Sequence, residues 1–135
     1  MANQFSYGRE EKLKGRKLLE ELFSVGKSFT VFPLKVFYLV PEKPLDFYVK
    51  VGVGASSRNF KKAVDRNRVK RLLREAYRTE KLPLHLFLQE NNRQVAVFVL
   101  YIDKILPEYK MVKAKMPVVL QRLIKQLHEK AITNT

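Results

Sequence analysis

The chain contains no cysteine. Disulfides, cysteine-ligated zinc sites and thiol nucleophiles are therefore excluded. Acids are scarce: 13 Asp and Glu stand against 27 Lys and Arg, a formal net charge of +14 over 135 residues. Histidine occurs only at His85 and His128, far apart in sequence and each reading as an ordinary surface residue. Glycine is sparse too, and V-G-V-G at 51–54 lacks the GxGxxG and GxxxxGK spacings of a phosphate loop. The acids show no paired-carboxylate or metal-ligand spacing, and Ser56 and Ser57 have no evident base. A self-contained active site is not expected. No apolar run approaches the roughly 20 residues of a bilayer span. The opening MANQFSYGREEKLKG has no apolar signal-peptide core. There are no repeats and no low-complexity tract. The expectation is one soluble, cytoplasmic domain over 1–135, with frayed ends at about 1–8 and 131–135.

What is present is a strongly cationic helix. Lys61 to Arg78 reads KKAVDRNRVKRLLREAYR. At 3.6 residues per turn, Val69, Leu72, Leu73, Ala76 and Tyr77 form one apolar stripe. Arg66, Lys70, Arg74 and Arg78 step by four along a neighbouring face, with Arg68 and Arg71 beside them. Nine basic residues against three acids between Lys61 and Lys81 give a net charge of +6. Like charges four apart repel by a few tenths of a kcal/mol per pair, so helix stability alone does not favour this row. A polyanion would relieve the repulsion. Asp65 suits the N-cap or first turn, facing the positive end of the helix dipole.

The rest of the chain alternates between helical and strand patterns. Arg9 to Val25 reads as a helix with an apolar patch at Leu18, Leu19, Leu22 and Phe23. Gly15 weakens its first half by about 1 kcal/mol relative to alanine, which moves the start towards Arg16. Gly26 suits its end. Two strands are expected near 28–32 and 34–40, separated by Pro33, and a third over 47–54. In the third, Gly52 and Gly54 leave one face bare, which implies close approach of another group. Pro83 to Asn92 is a short helix or turn plus loop. Val95 to Ile102 is a buried central strand, and Tyr109 to Lys130 a last helix containing Pro117. This is an α+β domain, with helices on a mainly antiparallel sheet whose other face is only partly covered.

The stretch Val51 to Tyr77, VGVGASSRNFKKAVDRNRVKRLLREAY, resembles the protein component of bacterial ribonuclease P. The family's hallmark helix has the form A-V-x-R-N-R-x-K-R-x-x-R. Ala63, Val64, Arg66, Asn67, Arg68, Lys70, Arg71 and Arg74 match it throughout. The resemblance implies a four-stranded, mainly antiparallel sheet with three helices in the order αβββαβα. It also implies a left-handed βαβ crossover, which general handedness rules would not suggest. Catalysis would belong to a partner RNA with magnesium; the protein binds no cofactor itself. It would bind that RNA, as a monomer in a one-to-one complex, and hold the single-stranded 5′ leader of precursor tRNA. On the RNA-binding side the implied residues are Arg66, Asn67, Arg68, Lys70, Arg71 and Arg74, with Lys61, Lys62 and Arg58 leading into the helix. A leader cleft between the first helix and the sheet would use Leu19, Phe23 and Phe37, with Lys35 beside Phe37 and Arg58 at its end. Leu19 stands where the family often has an aromatic. Arg58 alone keeps the charge of a common basic pair, in a linker one residue longer than usual.

Physical chemistry agrees with these roles. Arginine offers planar, bidentate donors to phosphate. Asn67 can donate to and accept from a base edge or sugar hydroxyl. Phe23 and Phe37 offer stacking surfaces, with core packing as the competing use of Phe23. The alternatives are a general RNA-binding or ribosomal-type protein without a catalytic RNA, a module whose basic helix enters duplex DNA, and, weakest, a membrane-surface binder.

Overall fold

The computed structural model describes residues 7–133, with side chains through Glu129. In chain order the elements are α1 (Arg16–Val25), β1 (Lys27–Val31), β2 (Leu34–Leu39), β3 (Val49–Ala55), α2 (Ala63–Glu80), α3 (Leu82–Glu90), β4 (Val95–Tyr101) and α4 (Tyr109–Thr133). The sheet runs β1-β2-β4-β3. The β1–β2 and β2–β4 pairings are antiparallel, and β3–β4 is parallel. This is the expected α+β architecture. It carries four helices where the resemblance implied three, because the segment after the basic helix folds as a separate helix, α3. Pro83 lies in the first turn of α3, where no intrahelical partner is lost, and it cannot extend α2. Pro117 lies inside α4, which continues through it to Thr133. Of the expected frayed ends, residues 1–6 and 134–135 lie outside the described residues, and 131–133 complete α4.

The period of two along each strand sorts the sheet into two faces. Leu34, Val36 and Tyr38, Val49 and Val51, and Val95, Val97, Val99 and Tyr101 are buried in one cluster. In that cluster they meet Val69, Leu73, Ala76 and Tyr77 of α2, Leu84 and Leu88 of α3, and Val112, Met116, Val119, Leu120, Leu123 and Leu127 of α4. Each such aliphatic side chain contributes about 1.5–3 kcal/mol by leaving water. On the opposite face Lys35, Phe37, Phe98 and Leu100 remain half-exposed. Register places Phe37 beside Phe98 and Phe98 beside Gly52, then Lys35 beside Leu100 and Leu100 beside Gly54. Among the described residues, α1 is the helix that crosses this second face, with Leu22 fully buried beneath it.

The first helix does not begin at Arg9. Gly15 has φ 96°, a left-handed conformation that favours glycine, and α1 starts at Arg16. The residues before it form a strap along β3, the edge strand of the sheet. Val51 N–H donates to Glu11 O at 2.6 Å, and Leu13 N–H donates to Val51 O at 3.0 Å. The strap thus covers part of an otherwise open edge.

Candidate nucleic-acid interface

Helix α2 presents its cations in a different row from the one its spacing suggests. Val69, Leu73, Ala76 and Tyr77 are buried, and neighbouring Lys70 and Arg78 are half-buried. Arg78 pairs with Glu75 at 2.5 Å. Arg66 turns back on its own loop, donating from one guanidinium nitrogen to Phe60 O and Lys61 O, both at 2.8 Å. The freely exposed row is Asn67, Arg68, Arg71 and Arg74. Among the described residues, Arg68, Arg71 and Arg74 form no ion pair with a carboxylate. The apolar stripe is flanked by α4 on one side and the sheet on the other, which narrows the free face and shifts it by a residue or two. Asp65 sits in the first turn of α2, and Lys62 occupies the N-cap without a side-chain cap. Uncapped first-turn amides add to the positive potential already set by exposed Lys61 and Lys62.

The second sheet face carries an aromatic floor. Phe23 of α1, 46% exposed, meets Phe37 edge-on at 5.0 Å and Phe98 at 5.2 Å. The Lys35 ammonium lies 5.2 Å from the centre of the Phe37 ring. Phe98 is a member that sequence reasoning missed. Its position in an almost wholly apolar strand suggested burial on both sides. The signal was the bare pair Gly52 and Gly54: a Cβ on Gly54 would sit 2.6 Å from Phe98 Cζ, and one on Gly52 3.0 Å from Phe98 Cδ2. The glycines make room for this ring. Leu19 lines a cavity towards β3, together with Phe98.

Between these surfaces runs the loop from β3 to α2. Arg58 is exposed there, its amide donating to Ser56 Oγ at 3.1 Å. Asn59 Nδ2 donates to Ile102 O at 3.1 Å and anchors the loop to the end of β4. Arg58 therefore stands at the end of the sheet where Lys35 and Leu100 lie. Of the predicted residues, Asn67, Arg68, Arg71 and Arg74 share an exposed row on α2 and Phe23, Phe37 and Lys35 an aromatic floor, while Arg66 is engaged by its own loop.

Beneath the strap is a buried polar network that sequence reasoning did not foresee. Glu11 is 5% exposed, Lys81 1% and His85 7%. The Lys81 ammonium pairs with Glu11 Oε1. Tyr77 OH donates to Glu11 Oε2 at 3.0 Å. His85 Nε2 lies 2.9 Å from Tyr77 Oη, and His85 Nδ1 lies 2.8 Å from Tyr48 Oη. His85 is thus a core residue rather than a surface one; His128 is exposed, edge-on to Phe87. Burial pushes the Glu11 carboxyl up, but hydrogen bonds and charge from His85 and Lys81 outweigh it and hold it below its usual value. Burial also pushes the Tyr77 phenol far up, so it remains a donor. Among the described residues no group of three His, Asp or Glu side chains is placed to hold a metal.

The ribonuclease P family model matches residues 7–123. A ribonuclease P protein component from Porphyromonas gingivalis is 33% identical over 130 residues, covering 96% of this chain and 95% of the relative. One from Chlorobium phaeobacteroides is 34% identical over 82% of this chain and 83% of its own. The RNase P protein of Thermotoga maritima has a similar fold, with a TM-score of 0.63 at 22% identity, covering 83% of this chain and 96% of that one.

Proposed function

Because the chain belongs to the ribonuclease P protein family, we propose that it serves as the protein subunit of that endoribonuclease, docking on the catalytic RNA through α2 and holding the 5′ leader of precursor tRNA across the open sheet face. Bond cleavage is assigned to the RNA, with magnesium held there. The protein supplies binding and orientation. Arg68, Arg71 and Arg74 give fixed donors to phosphates, Asn67 a hydrogen-bonding group of both senses, and Lys61, Lys62 and Lys70 further positive potential. Arg66 acts through its grip on Phe60 and Lys61, which fixes the entrance to the ridge. Phe23, Phe37 and Phe98 offer ring faces and edges to unpaired bases, and Lys35 and Arg58 stand ready for the phosphates between them. A cytoplasmic location and one protein per RNA follow from the same reading.

The observation that carries this reading is adjacency. Arg74 of the exposed, carboxylate-free arginine row and Phe98 of the solvent-facing aromatic surface line one cavity at the β3 edge. Structured RNA fits the first, and a single strand fits the second. The test is reconstitution. The protein is added to a bacterial ribonuclease P RNA at low magnesium, and cleavage of precursor tRNA is followed. Enhanced cleavage supports the reading. No enhancement, with binding to unrelated structured RNAs just as tight, would instead mark a general RNA-binding protein.

A further inference from the structure

The two edges of the sheet differ. The β3 edge carries the strap. Along β1, among the described residues, no backbone group pairs with the outer side. Val31 pairs with Leu34 across a two-residue turn. Phe29 and Val31 therefore aim their amides and carbonyls at β2, and exposed Ser28 and Thr30 aim theirs outward. From α4, exposed Arg122 donates through Nη1 to Thr30 O at 3.2 Å. We infer that this edge, with the α4 surface beside it, docks an extended acidic segment of another protein, which adds to the sheet as a further strand next to β1.

Three features carry it. The first is the backbone. The outward amides and carbonyls of Ser28 and Thr30 form a short template that a neighbouring strand satisfies directly. The second is the flank. Four residues of helix rise about as far as two residues of strand. Arg122 reaches Thr30, and Gln126 accepts from Tyr38, the partner of Lys27, at 2.6 Å. So α4 runs alongside β1. The same spacing carried the other way sets Val118, 51% exposed, level with Phe32, 61% exposed. A cavity of about 500 Å³ opens along this stretch, lined by Gln121, Arg122, Lys125, Gln126 and Glu129. An apolar end above a polar trough suits a strand with alternating side chains. The third is charge. Lys27, Arg122 and Lys125 border the trough, against Glu129. The Arg122 guanidinium rests 4.9 Å from the centre of the Phe29 ring. Carboxylates at alternate positions of an incoming strand meet these cations, and Arg122 can pass its donors from Thr30 O to one of them, leaving that carbonyl to the new strand. The same cations, on a chain of net charge +14, oppose a second copy of this protein at the edge.

The test uses the full chain and a labelled, capped peptide alternating glutamate with valine over about eight residues, with a lysine–valine peptide as its control. Anisotropy should show the acidic peptide bound and the basic one free. Hydrogen exchange should slow at the Ser28 and Thr30 amides when the acidic peptide binds. Arg122→Gln should weaken that binding about tenfold. Thr30→Pro removes an outward N–H and should weaken it at least about tenfold, whereas Thr30→Val keeps the N–H and should bind as the wild type does. The exchange measurement uses the unaltered chain, so it decides the matter even if Thr30→Pro does not fold. The peptide should also remain bound when the chain is saturated with ribonuclease P RNA. No binding, equal binding of the basic peptide, unslowed exchange at Ser28 and Thr30, or displacement by the RNA would each overturn the proposal. So would sedimentation and exchange showing that the chain pairs with itself through the same amides.

Discussion

The Lys81 ammonium is buried against the Glu11 carboxylate, joining the end of α2 to a strap that lies 70 residues earlier in the chain. Taking one partner from a buried pair leaves the other charge stranded, at a cost of about 3 kcal/mol or more. Glu11→Ala should lower stability by that amount, reducing Tm by about 10 °C. Thermal and urea unfolding at neutral pH measure it.

The same pair sets an acid response. The Glu11 carboxyl is held below its ordinary value of 4.5 in the folded protein. Its stabilisation is therefore fully present above about 4.5 and is lost as pH falls through the lowered value. The urea midpoint should drop through this range in the wild type. Glu11→Gln, already less stable, should show a flatter profile there. A wild-type midpoint unchanged down to pH 3 would contradict the arrangement.

Arginines of α2 divide into two kinds. Arg66→Ala removes two hydrogen bonds to the Phe60 and Lys61 carbonyls and should destabilise the fold by about 1 kcal/mol. Arg68→Ala with Arg71→Ala touches only exposed side chains and should leave stability within about 0.5 kcal/mol. The double change should nonetheless reduce the salt slope of RNA binding by about 1.5–2. Parallel unfolding and binding titrations separate the two classes.

The aromatic floor depends on glycine. Gly54→Ala would place a methyl group 2.6 Å from Phe98 Cζ, so the ring must move. Overpacking of this kind costs about 1–3 kcal/mol. The variant should also bind a long-leader precursor tRNA less well, with affinity for the catalytic RNA much less affected. Fluorescence anisotropy with each RNA distinguishes the effects.

Phe23→Ala exposes the floor from the other side. It loses two edge-on contacts, worth about 0.5–1.5 kcal/mol each. If a leader base stacks there, affinity for single-stranded leader should fall by a further 1–3 kcal/mol, roughly five- to 150-fold. A loss of stability with unchanged leader affinity would assign Phe23 to packing alone.

Local patterns carried most of the fold. The stripe of Val69, Leu73, Ala76 and Tyr77 fixed the buried side of α2, and strand alternation separated Val36 and Tyr38 from Lys35 and Phe37. The glycine pair announced the close approach of a ring. What escaped was non-local. Residues 9–14 look helical because charged residues crowd them, but their partner Val51 lies in another segment and Gly15 takes a left-handed turn. His85 looked solvated because Tyr48, Tyr77 and Glu11 reach it from three separate parts of the chain. Its spacing with Leu84 and Leu88 on one face of α3 was the available hint. The displaced cationic row on α2 had the same origin, since the packing of α4 and β3 decides which arginines reach solvent.

The strap reverses the order in which the chain can be completed. Its pairing partner on β3 and its ionic partner at the end of α2 are both made long after it, so it has nothing to join until they exist. Until then the outer strand is bare, and neither Lys12 nor Lys14 is fixed in space. The portion of the protein that emerges early is thus among the last to settle, and a chain interrupted before Lys81 would lack both β4 and the strap's ionic anchor, leaving β3 without its sheet partner.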